Sequence, residues 1–146
     1  MKHSAFTLVE LLITIAILAA LAVVGVPTYS KYRVRSKVAT MFAAAGSAEF
    51  AVSNDYFNQG YKLSTINYAN NAQPFTTPSS TVISSISISA GIITITGNTA
   101  ELGGRTINLV ITPVVANNDI TWYCSTNSSA YSEFVPTACR WYLGYY

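Results

Sequence analysis

The stretch from Phe6 to Val26 reads FTLVELLITIAILAALAVVGV, 21 residues with two threonines and a single ionisable group, Glu10. At 1.5 Å per residue a helix of that length spans about 31 Å, the thickness of a bilayer's hydrocarbon core. A removable secretory signal has a shorter apolar region, about 7–15 residues, followed by a small-residue cleavage site. Here the basic region is the stub Met1-Lys2-His3-Ser4-Ala5, and the chain leaves the span through Pro27-Thr28-Tyr29. The segment is therefore expected to be retained as a membrane helix. Two readings of Glu10 stand side by side. It is either a boundary charge that reaches the interface, or a carboxylate waiting for a positive partner in another molecule. Burial in an all-apolar bundle without such a partner would be prohibitive.

Of the 146 residues, 51% are hydrophobic and 10% charged, whereas soluble domains carry roughly 25% charged residues. This excludes a disordered or acidic-tail chain and disfavours an ordinary cytosolic enzyme. The net charge of +2 is too small to indicate a nucleic-acid binder. Lys31, Arg33, Arg35 and Lys37 form a basic collar just past the span, whereas the chain from Val38 onward has three positives against five negatives. The length suits one domain of about 100 residues behind the span.

Phe6-Thr7-Leu8-Val9-Glu10-Leu11-Leu12, entering an apolar span after a five-residue leader, resembles the N-terminus of a type IV pilin. Pro27, Tyr29 and Tyr32 fall where such pilins place a helix-kinking proline and two tyrosines. The resemblance implies that a prepilin peptidase and N-methyltransferase removes residues 1–5, cutting between Ala5 and Phe6, and methylates the Phe6 amine. It implies that Glu10 neutralises the Phe6 amine of a neighbouring subunit during assembly. It further implies an inner-membrane precursor, an extracellular pilus, and partners in trans: an assembly platform and cytoplasmic ATPases. The family usually has glycine where this chain has Ala5, so slower cleavage is expected. In the precursor Lys2 and the amino terminus face four positives across the span. Charge counting alone would therefore not place the leader in the cytoplasm.

Beyond Pro27 the apolar pattern becomes periodic: Val34, Val38, Met41 with Phe42, Ala45, Ala48 and Val52 recur at steps of three and four. That is one stripe of an amphipathic helix, with Gly60 as a left-handed stop. A single helix from about Phe6 to Phe57 would be on the order of 75 Å long, so its first half is expected to project and its second half to pack. Gly25 and Pro27 mark either an ordinary kink at the membrane surface or a segment that loosens when subunits pack.

From Val82 the chain alternates with period two. Ile86, Ile88 and Ala90 share one face; Ile93 and Ile95, then Ile107, Leu109 and Ile111, then Ile120, Trp122 and Cys124 follow. This predicts an antiparallel sheet with one buried face, covered by the Val38–Val52 stripe. The expected fold is α+β: a long N-terminal helix packed on four antiparallel strands. The segments are a leader 1–5, a membrane or filament-core helix 6–26, an amphipathic helix 27–57, a loop 58–81, a meander 82–124, a cysteine-bounded loop 124–139 and a tail 140–146.

Cys124 and Cys139 can oxidise in a chain that leaves the cytoplasm; the alternative is two buried free thiols. Their flanking residues also resemble the edges of the pilin disulfide loop. The aromatic cluster of Trp122, Tyr123, Tyr131, Phe134, Trp141, Tyr142, Tyr145 and Tyr146 reads as core, as subunit contact, or as a surface that stacks on sugars or bases. Asn127-Ser128-Ser129 formally matches a glycosylation acceptor. No catalytic constellation, metal site or cofactor is expected: the one histidine, His3, lies in the leader, and the carboxylates are scattered. The function expected is a structural subunit of a homo-polymeric filament built from head-to-tail contacts that do not close, serving adhesion, twitching motility or DNA uptake. The alternatives are a minor pilin or secretion pseudopilin, and a filament-surface protein that binds DNA or glycans.

Overall fold

The structure, a computed structural model, describes residues 6–60, 62–69 and 80–142, with backbone only at 141 and 142. The leader, residues 61 and 70–79 of the 58–81 loop, and the end of the aromatic tail lie outside the described residues. The chain divides into two units, Met1–Arg33 and Val34–Tyr146. Helix α1 spans Leu8–Phe57 and is helical through Gly25 and Pro27.

In the second unit, Val34, Val38, Met41, Ala44, Ala45, Ala48, Ala51 and Val52 of α1 are buried. The stripe is wider than the strict three–four pattern because alanines at 44, 45, 48 and 51 present little bulk and let the helix sit close to the sheet. Four antiparallel strands form that sheet in chain order: β1 Ile83–Ser89, β2 Ile92–Gly97, β3 Asn108–Ala116 and β4 Asp119–Thr126. Their inward residues Ile86, Ile88, Ile93, Ile95, Leu109 and Ile111 are almost wholly buried, together with Ile107 just before β3. The α+β architecture expected from the sequence is therefore the one observed.

Ala90 is the exception to the expected strand faces. It is exposed at the β1–β2 turn with φ 50°, beside Gly91 at 77°. Two consecutive left-handed residues make the tight hairpin turn whose twist matches the flanking strands. An alanine there is strained, and neighbouring chain holds it. Ala90 N donates to Asn67 Oδ1 at 2.9 Å, and Gly91 N donates to the Ile66 carbonyl at 3.0 Å. Part of the 58–81 loop is thus ordered against the sheet. It forms a short 3-10 turn at Leu63–Thr65, buries Ile66, and bridges Tyr68 to Ile88.

A two-residue strand β5, Trp141–Tyr142, adds parallel to β4 through Ser125 and Thr126. The Cys124–Cys139 disulfide places it there by tying the returning chain to β4 with Cα atoms 4.4 Å apart. At the far end of β2, Gly97 sits where a Cβ would run into the Leu102 side chain and come within 2.8 Å of the Ile107 carbonyl oxygen. Gly97→Ala should cost on the order of 1–3 kcal/mol through overpacking against backbone. A thermal melt of the head, residues 34–146, would read this as a clear fall in Tm; an unchanged Tm would contradict the packing described.

Candidate functional site

The first unit presents its apolar side chains outward. Every residue from Phe6 to Val26 is exposed, with Leu8 at 75% and Val23 at 76%. An apolar helix with no protein cover needs another apolar medium, either lipid or other helices. Its few polar groups are turned inward on its own backbone. Thr14 Oγ1 donates to the Leu11 carbonyl at 2.8 Å and Thr28 Oγ1 to the Val24 carbonyl at 2.9 Å. Internal satisfaction of this kind is what hydrocarbon demands.

Thr7 and Glu10 close the N-terminus of α1 reciprocally. Thr7 N donates to Glu10 Oε2 at 2.9 Å, Thr7 Oγ1 donates to the same oxygen at 2.7 Å, and Glu10 N donates back to Thr7 Oγ1 at 3.3 Å. This is a capping box, threonine at the cap and glutamate three residues on. Its carboxylate also lies favourably at the positive end of the helix dipole. The T-x-x-E spacing was readable in the sequence, yet only the charge of Glu10 drew notice there. The capped carboxylate has two donors from Thr7 and no described cation beside it. Phe6, 72% exposed, immediately precedes the cap.

The basic collar is split between uses. Arg35 Nε donates to the Glu133 carbonyl, and Lys37 Nζ donates to the Glu101 carboxylate at 2.6 Å and carbonyl at 2.8 Å. These two cations fasten α1 to the β2–β3 connection and to the cysteine-bounded loop. Tyr29, Lys31, Tyr32 and Arg33, in the first unit, are exposed.

In the second unit the disulfide loop is anchored from inside. Phe134, Val135 and Cys139 are buried, and the Arg105 guanidinium lies 4.6 Å from the Phe134 ring centre. Asn127, the formal glycosylation acceptor, is already spent on structure. Its Nδ2 donates to the Thr106 carbonyl at 3.0 Å and its Oδ1 accepts from Asn108 N at 3.0 Å. The aromatic cluster disperses likewise. Phe134 is core, Trp122 and Tyr131 pack against the core, and Tyr123 points out at 47% exposure. Tyr145 and Tyr146 lie outside the described residues.

One buried group escaped the sequence reading. Asp55, in the last turn of α1, is 1% exposed and accepts a hydrogen bond from the Tyr68 hydroxyl. It pins the middle of the 58–81 loop to the helix. No group of three His, Cys, Asp or Glu side chains gathers among the described residues. Burial pushes the Glu49 carboxyl above its usual value. A carboxyl raised on folding stabilises the fold below its unfolded value, and this contribution is lost as pH rises through the folded one. Glu49→Gln should therefore raise Tm slightly at neutral pH, and its advantage should vanish in acid. Melts of the two proteins across that range check the sign.

Residues 34–140 match the family described as pilin (bacterial filament), and residues 1–26 match the prokaryotic N-terminal methylation motif. The chain is 33% identical to fimbrial protein EcpC of Eikenella corrodens, over 92% of this chain and 89% of that one. It is 30% identical to fimbrial protein Q of Moraxella bovis, over 92% and 96%. Identity to a type IV major pilin protein, PilE1, of Neisseria gonorrhoeae is 29%, over 82% and 67%. With its outward-facing apolar helix, meander and C-terminal disulfide, the chain belongs to the type IV pilin family.

Proposed function

We propose that the chain is the main structural subunit of a type IV pilus and polymerises through residues 6–26. The observation that carries this reading is the uncovered apolar helix with one capped carboxylate near its start. In the membrane, lipid satisfies the apolar surface and Thr7 partly satisfies Glu10. In the filament, neighbouring helices replace lipid. The Phe6 amine, freed by cleavage after Ala5 and methylated, brings to the Glu10 of an adjacent copy the positive charge that Thr7 cannot supply. An amine at a helix N-terminus is disfavoured by the dipole, so the pairing relieves both charges.

Gly25 and Pro27 are the place where the helix gives way during packing. Pro27 has no N–H to offer the preceding turn, and Thr28 already draws on the Val24 carbonyl. Because subunit contacts are head-to-tail, growth does not close on itself. An assembly platform and cytoplasmic ATPases would drive it in trans. The names of the relatives, fimbrial protein and major pilin, favour a main subunit over a minor pilin or pseudopilin. Attachment, twitching motility or DNA uptake would be the use of the filament. Surface filaments sheared from cells that make the chain test this directly. The chain should be their principal protein, and a trace amount would contradict the reading.

A further inference from the structure

We propose that Tyr29, Tyr32 and Arg33 form an interfacial belt that binds the phosphate groups of anionic phospholipid where the span leaves the membrane. The proposal rests on the reading of residues 6–26 as a membrane helix. These residues follow Val26 by three to seven positions. At 1.5 Å per residue that is about 4–10 Å beyond the hydrocarbon, the depth of the headgroup layer.

The chemistry at that depth is suited to headgroups. Tyr29 and Tyr32 are 65% and 70% exposed, and tyrosine favours this layer because its ring is apolar and its hydroxyl wet. Tyr29, Tyr32 and Arg33 stand at i, i+3 and i+4, so they share one face of α1. A guanidinium fork matches phosphate oxygens in two parallel hydrogen bonds, and its aliphatic stem can lie along the acyl boundary.

The way the collar is divided supports this assignment. Arg35 and Lys37 are committed to acceptors on the head, namely the Glu133 carbonyl and Glu101. The Arg33 guanidinium, part of the same basic run, has no acceptor among the described residues of its own unit. Leaving the membrane then requires this contact to break as well as the apolar one.

The test uses the full chain in phosphatidylcholine vesicles containing a trace of spin-labelled phosphatidylglycerol or spin-labelled phosphatidylcholine. The fraction of label held immobile beside the protein is read by electron paramagnetic resonance. At low salt the anionic label should be enriched over the neutral one by up to about fivefold per cation. Arg33→Gln should lower that ratio several-fold, Arg33→Lys should keep most of it, and 0.5 M salt should erase most of it, as roughly expected from screening. Equal fractions for the two labels, or full enrichment retained in Arg33→Gln, would overturn the belt while leaving the membrane span standing. No immobile fraction with either label would overturn the span and the belt together.

Discussion

Glu10→Ala should insert into the membrane as the parent does and yet support almost no filament growth. Removing the one acid from the span makes residence in lipid easier, so precursor levels should not fall. On the proposed pairing, what is lost is the partner of the Phe6 amine on the adjacent copy. An unpaired charge at membrane depth corresponds to a loss on the order of a hundredfold in each addition step. Because Glu10 also closes the capping box with Thr7, the alanine variant removes two things at once. Glu10→Gln separates them. Glutamine can still accept from Thr7 and complete the cap, but it carries no charge. Glu10→Gln should fail at filament growth as Glu10→Ala does. Normal filaments from the glutamine variant would make Glu10 a helix cap and nothing more.

Cys124→Ser should be the most damaging change in the head. The bond joins residues 15 apart in sequence, and closing a loop of about that size is worth roughly 3 kcal/mol in the chain-entropy model. Two further contributions lie downstream of it. Phe134 and Val135 are buried inside the bounded loop, and β5 is brought alongside β4 by the return at Cys139. For a domain of about 100 residues such a loss lowers Tm by on the order of 10 °C or more. Calorimetry on the parent and on Cys124→Ser, with the parent also reduced by dithiothreitol, would show it. The reduced parent and the variant should melt together, well below the oxidised parent.

Much of this fold could be read from local pattern, because period two and period 3.6 are imposed by the backbone itself. Ile86 and Ile88, Ile93 and Ile95, and Leu109 and Ile111 took the faces their alternation required. So did the Val34–Val52 side of α1. What escaped was set by residues far apart. Arg35 and Lys37 read as part of one basic collar, since their acceptors Glu133 and Glu101 lie 98 and 64 positions away. Asp55 reads as the polar end of a helix, because its donor Tyr68 sits in a loop without periodicity. Ala90 continued the alternation of β1, but the turn it occupies is held by Asn67 and Ile66 from that same loop. Two residues of β5 are too few for any periodic signal. The candidate site was half visible. The acid at Glu10 stood out as a charge in an apolar run, while its hydrogen bonds with Thr7 needed the T-x-x-E spacing to be read as a cap.

The proposed growth of the filament turns on the chain end that would meet Glu10. Intact-mass and N-terminal fragment spectra of the protein, taken from sheared filaments, report on it in one measurement. A chain beginning at Phe6 and carrying one extra methyl group is the predicted result. Filaments built from chains that still carry Met1 through Ala5 would contradict it, since no free amine would then stand beside the acid of the next subunit.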